Sequence, residues 1–216
     1  MQFQHLKPKV SKALKKMVAE KSFLSLDVGC GAYKRQGSVG MDIRPLPGVD
    51  VVHDITHFPW PIPDGVCGVV TASHVLEHIP KWGTPSQLHL LSELLISKGV
   101  VTRKEVESAV GETQIFSMVM RFMDECWRIS RDGGQLAMVL PYAGSTGFYQ
   151  DPTHTSPINE ATFFYFDPEH QSNLWHIYKP KPWKIDINTY QQNGNLEIIL
   201  SKRPMIPEYE QENDYA

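Results

Sequence analysis

Four short, largely apolar runs punctuate the first third of the chain. They are "FLSLDVG" (Phe23 to Gly29), "SVGMDI" (Ser38 to Ile43), "VDVVHDI" (Val49 to Ile55) and "DGVCGVVTAS" (Asp64 to Ser73). Each is short enough for a strand, and the fourth has the unbroken apolarity of a parallel strand buried on both faces. "FSMVMRFMDECWRISRDGG" then reads as a helix closed by the Gly133-Gly134 pair, followed by a fifth strand, "QLAMVLPY". Late in the chain, "WKIDINTYQQNGNLEIILSK" has two alternating runs around Asn193-Gly194, a strong hairpin signal. The pattern predicts one α/β domain over 1–216, a Rossmann-like doubly wound, mostly parallel sheet with a C-terminal antiparallel hairpin.

Two further helical patterns decorate this frame. Over residues 8–22, Val10, Leu14, Met17 and Val18 recur at helical spacing among five lysines, which predicts a surface helix. Over residues 84–112, Leu88, Leu90, Leu91, Leu94 and Leu95 mark one helix that stops at Gly99. Thr102 followed by Glu105 is a capping box opening another. This small helical insertion reads as a packing or dimer-interface element in preference to a lid, so a homo-oligomer is one expected outcome.

Composition narrows the class. Apolar residues make up 41% and charged residues 21%, an ordinary globule, and the net charge of −3 offers polyanions no general attraction. No run reaches bilayer-spanning length, so no membrane partner is expected. Cys30, Cys67 and Cys126 are widely separated with no CxxC, which points to a reducing, cytoplasmic setting.

The first strand runs into Asp27-Val28-Gly29-Cys30-Gly31, and the second ends in Asp42. Strand, G-x-G and a second strand ending in an acid is the grammar of a nucleotide crevice, in which the carboxylate accepts from ribose hydroxyls. The third glycine of a dinucleotide fingerprint would fall at Lys34, which disfavours a pyrophosphate cradle. The blocks "LDVGCG", "VGMDI", "HDI", "DGVCGVVTASHVLEHI" and "DECWRISRDGGQLAMVLP" resemble, in that order, the class I S-adenosylmethionine-dependent methyltransferases, over roughly residues 22 to 168. The resemblance implies S-adenosyl-L-methionine as cofactor. Asp27, Gly29 and Gly31 would surround its methionyl part and Asp42 its ribose. Asp54 and Ile55 would flank the adenine, and Ser73 and His74 would line the pocket floor. One departure is that "AYKRQGS" lacks an apolar stripe, so the usual first helix is expected as a loop.

"HVLEH" (His74 to His78) also spells His-x-x-Glu-His, which on a helix would make His74 and His78 zinc ligands with Glu77 as general base. Three features oppose this. His74 ends a strand, Pro80 follows closely, and no downstream residue offers an obvious third ligand. No metal site is therefore expected, and the histidines are read as pocket wall.

"PYAGSTGFYQDPTHTSPINEATFFYF" (Pro141 to Phe166) follows the fifth strand, at the edge where open α/β sheets place ligands. It resembles a methyltransferase subgroup associated with glycan or small-molecule modification. His154 is the candidate base and Asp151 its orienter, set against a purely structural Asp-Pro turn. Tyr142 and Tyr149 are candidate acceptor contacts. The expected function is methylation of an oxygen or nitrogen on a small-molecule or glycan-like acceptor. A nucleic-acid methyltransferase is the rival, opposed by Ser73-His74-Val75-Leu76 standing where an Asn/Asp-Pro-Pro-aromatic motif would be needed. A non-catalytic methyltransferase-like assembly module is the third reading.

Overall fold

Eight strands among the described residues form one sheet. The computed structural model describes residues 9–10, 23–80, 94–105 and 117–210. The strands are β1 (Lys9–Val10), β2 (Leu24–Val28), β3 (Val39–Asp42), β4 (Val51–Val52), β5 (Cys67–Ser73), β6 (Ser130–Pro141), β7 (Trp183–Tyr190) and β8 (Asn195–Lys202). They follow one another in space as β1-β4-β3-β2-β5-β6-β8-β7. Strands β4, β3, β2, β5 and β6 are mutually parallel, and β8 pairs antiparallel with both β6 and β7. This is the expected Rossmann-like sheet with its reversed hairpin. β2 is paired by β3 on one side and β5 on the other, so the switch of direction in strand order falls beside it.

Burial explains the pattern. Leu26 and Val28 on β2, Met41 on β3 and Val70 on β5 are at most 1% exposed, so the centre of the sheet is covered on both faces. The helix Met118–Ile129 buries Met118, Val119, Phe122, Met123, Cys126 and Ile129, an i, i+3, i+4 stripe. It ends three residues earlier than the glycine signal predicts. Ser130 is already extended, and the strand bulges before regular pairing resumes at Gln135 with Val69. Gly133 adopts φ +68, and a Cβ on Gly134 would stand 2.8 Å from the Arg131 carbonyl oxygen. The glycine pair therefore shapes a bulge rather than capping a helix.

Three other expectations meet the structure at single points. Lys9 and Val10 pair antiparallel with Val52 and Val51, so the segment expected as a helix over 8–22 opens as a strand. Residues 11–22 lie outside the described residues. Of the helical insertion over 84–112, residues 84–93 and 106–112 also lie outside them. Within it, residues 94–97 are helical and Gly99 adopts φ +65 where that helix stops. Thr102 and Glu105 form the predicted reciprocal cap: Glu105 Oε2 accepts from Thr102 N at 2.7 Å, and Thr102 Oγ1 from Glu105 N at 3.2 Å. At the hairpin, Gly194 takes φ +86 between β7 and β8, as the Asn-Gly pair requires.

Candidate functional site

A crevice of about 460 Å³ opens at the carboxyl ends of the central strands, within the size range of small-molecule sites. Gly29 comes from the end of β2, Asp42, Ile43 and Arg44 from the end of β3, and His53 to Thr56 from beyond β4. His74, Val75, His78 and Ile79 come from beyond β5. Of the expected cofactor residues, Gly29, Asp42, Asp54, Ile55 and His74 line it. Asp27, Gly31 and Ser73 do not.

Local folding accounts for each position. After β2 the chain turns at Gly29, whose φ of +65 suits glycine and whose added Cβ would meet Val75 Cγ2 at 2.5 Å. Gly31 repeats the left-handed conformation, at +56, with nothing within 4 Å of an added Cβ. Its N–H donates to Asp42 Oδ2 at 2.9 Å, while Asp42 Oδ1 accepts from Arg44 N at 2.9 Å. Asp42 is thus only 6% exposed, and its carboxylate is held at the crevice wall with acceptor capacity to spare. Asp54 is similarly fixed, its Oδ1 taking both the N–H and the hydroxyl of Thr56.

Asp27 departs from its expected role. Its Oδ2 accepts from Arg35 N at 2.8 Å and its Oδ1 from the Thr71 hydroxyl at 2.8 Å. At 5% exposure it is a latch that ties residues 30–37, the loop predicted in place of a helix, to the sheet. Cys30 lies between the two acids, and burial together with Asp27 and Asp42 pushes its thiol up to about 11.

Beyond β5 the chain makes no peptidase helix. His74 adopts φ +55, and only Leu76–His78 form one 3-10 turn. The loop after β6 is stitched onto this turn, because Thr155 N and Ser156 N both donate to the Glu77 carbonyl oxygen. The Thr155 and Ser156 hydroxyls donate to the Ile79 carbonyl oxygen at 3.0 and 2.6 Å. That stitching brings His154 beside Glu77 and His78. His154 Nε2 stands 4.0 Å from Glu77 Oε1, and the two imidazole rings meet edge to face at 4.6 Å.

His154 does not occupy the position of a free base. Its side chain is 7% exposed and is absent from the crevice lining, and Nδ1 lies 2.8 Å from the Phe148 carbonyl oxygen of its own loop. A carbonyl can only accept, so Nδ1 carries the proton. The Phe148 carbonyl is therefore the orienter. Asp151 spends Oδ1 on the Thr153 N–H and hydroxyl, which hold its carboxyl below the usual range, and comes no closer to His154 than 3.8 Å. The tyrosines also lie outside the crevice lining. Tyr142 packs against Tyr190 of β7, and Tyr149 is 75% exposed.

Glu77 is the residue that sequence reasoning passed over. It is fully buried, and neither carboxylate oxygen has a hydrogen-bond partner. His74 Nδ1 approaches Oε1 at 3.2 Å, but the ring N–H direction misses it, so proximity does not become a bond. The signal was present in His-x-x-Glu-His, where Glu77 was weighed only as a peptidase base.

No family model matches the sequence, and no curated protein does. Among solved structures the chain is similar to a SAM dependent methyltransferase from Archaeoglobus fulgidus, at 17% identity and TM-score 0.45, over 88% of this chain and 93% of that one. It is similar to another from Aquifex aeolicus (11%, TM-score 0.45, 88% and 89%) and to one from Mesorhizobium loti (10%, TM-score 0.45, 88% and 96%). All three are described as S-adenosylmethionine-dependent methyltransferases. At such identities the likeness carries nothing about the reaction, which has to be argued from the crevice. Among the described residues no helix is long and apolar enough to cross a membrane.

Proposed function

We propose that the chain is an S-adenosylmethionine-dependent methyltransferase acting on an oxygen or nitrogen of a small or sugar-like molecule. The observation that carries this is Asp42. A nearly buried carboxylate, set in place by Gly31 N–H and Arg44 N–H, opens on a crevice at the switch point of a doubly wound sheet. The residues fit the cofactor. Asp42 would hold the ribose hydroxyls, Ile55 and Asp54 the adenine edge, and the Gly29–Gly31 backbone the methionyl end, where an added Cβ on Gly31 would enter open space. When bound, the cofactor supplies an electrophilic sulfonium methyl.

The chain's own contribution is alignment and a proton acceptor. His74 lines the crevice with its side chain half exposed, so its imidazole is placed to take a proton from an acceptor hydroxyl. His154 and Asp151 hold the loop instead. Isothermal calorimetry with S-adenosylhomocysteine tests the cofactor reading. Asp42→Ala should weaken binding by about 1.5–3 kcal/mol, the usual cost of losing charge-assisted hydrogen bonds. No heat from the wild-type chain at high micromolar ligand would replace this reading with that of a non-catalytic module.

A further inference from the structure

We infer that Glu77, His78 and His154 form a binding site for one divalent transition-metal ion of the zinc class, at the edge of the crevice. One donor atom from each of the three residues lies within 4.8 Å of the other two. Two imidazoles and one carboxylate are a donor set suited to zinc and its neighbours, rather than to calcium or magnesium, which take oxygen. An independent observation points the same way. Glu77 is 0% exposed and both its oxygens lack a hydrogen-bond partner, so a carboxylate has been taken out of water with no donor to compensate it. Such burial is costly unless a cation sits nearby, and an ion between Glu77 and the imidazoles supplies it.

The surroundings are those of metal-binding histidines. His154 gives its Nδ1–H to the Phe148 carbonyl oxygen, which leaves the Nε2 lone pair on the side of Glu77. The Thr153 hydroxyl donates to Asp151 Oδ1, so its oxygen accepts from His78 Nδ1 at 3.0 Å and steadies that ring. Donors in a tetrahedral zinc site are about 3.4 Å apart, given bonds near 2.1 Å. Glu77 Oε1 and His154 Nε2, at 4.0 Å, need a modest closure. His78, exposed on its 3-10 turn, is the ligand free to close the remainder. Three protein ligands would leave a coordination position open, and of the three only His78 lines the crevice. The sequence pattern was thus half right: two residues of His-x-x-Glu-His ligate, His74 does not, and the third ligand arrives from the loop after β6.

Metal-free full-length protein titrated with zinc chloride should bind one equivalent per chain and gain melting temperature. Cobalt(II) in its place should give a visible d–d spectrum. His78→Ala, an exposed position that leaves the core intact, should weaken zinc binding at least tenfold and abolish the spectrum, and Glu77→Gln should do the same. No saturable uptake at micromolar zinc, or one equivalent bound unchanged by both substitutions, would overturn the site. Calorimetry with S-adenosylhomocysteine on the same metal-free protein reports the cofactor reading separately, so either assignment can fail alone.

Discussion

Gly29 and Gly31 share a left-handed backbone but not a reason for being glycine, and substitution separates the two. Gly29→Ala adds left-handed strain of about 1–2 kcal/mol and drives a methyl group into Val75, which overpacking raises by roughly another 1–3 kcal/mol. Gly31→Ala meets only the strain. Urea unfolding should therefore rank Gly29→Ala clearly below Gly31→Ala in stability. On the proposed placement of the cofactor's methionyl end, affinity for S-adenosylhomocysteine should nevertheless fall in Gly31→Ala, although Gly31 itself lies outside the crevice lining. Cys30 gives a second measurement at this scale. With its thiol raised to about 11, it remains protonated at pH 8 and should resist iodoacetamide in the folded chain, reacting at a useful rate only as pH approaches that value. The sign for stability follows. The unfolded thiol ionises near 9.0 and the folded one later, so this residue's contribution declines as pH rises from 9 towards 11. Rapid alkylation at pH 8 would show that the loop between Asp27 and Asp42 opens.

Among the elements, the helix Met118–Ile129 is joined to the segment before β5 by one polar cluster. Glu125, 6% exposed, accepts from Trp60 N at 2.5 Å and from Arg128 Nε at 2.9 Å. Arg128 also donates to Asp64 and to the Trp60 and Ile62 carbonyl oxygens. Arg128→Ala would leave Glu125 buried without its counter-charge, with the Trp60 N–H as its remaining donor. The expected loss is roughly 2–3 kcal/mol in urea unfolding, below the 3–5 of a wholly buried pair because a quarter of the Arg128 side chain meets solvent. A loss under about 0.5 kcal/mol would show that the cluster is merely a surface network. This scale also shows what the sequence made legible. β5 announces itself through its continuous apolarity, β2 and β3 as short, largely apolar runs, and β7 and β8 through alternation around Asn193-Gly194. The Gly133-Gly134 pair misled because glycine marks a helix stop and a strand bulge equally, and only the parallel pairing of β5 with β6 chooses between them. In the crevice, Gly29, Asp42 and His74 were readable from local order along the chain. The meeting of Glu77 with His154 was not, because it depends on Thr155 and Ser156 crossing to another turn, a pairing that leaves no local pattern.

For the whole molecule, charge bears on the proposed acceptor. A net charge of −3 offers the phosphate backbone no general, long-range attraction. Fluorescence anisotropy with short single- and double-stranded oligonucleotides at 150 mM salt should therefore detect binding weaker than about 100 μM, the feeble end of non-specific affinity. Micromolar binding with a steep salt dependence would favour the nucleic-acid reading.

Strand order in space differs from order of synthesis, and β8 shows the cost. It lies between β6 and β7, matching its residues to β6 from Gln135 opposite Ser201 through Pro141 opposite Asn195. A nascent chain that has already released β2 through β6 from the ribosome must still wait for residues 195–202 before β6 gains its outer neighbour. Until then β6 presents a long, apolar, unpaired edge to the crowded cell. Chain termination just short of Asn195 would produce a species for chaperones or proteases rather than a slightly shortened protein.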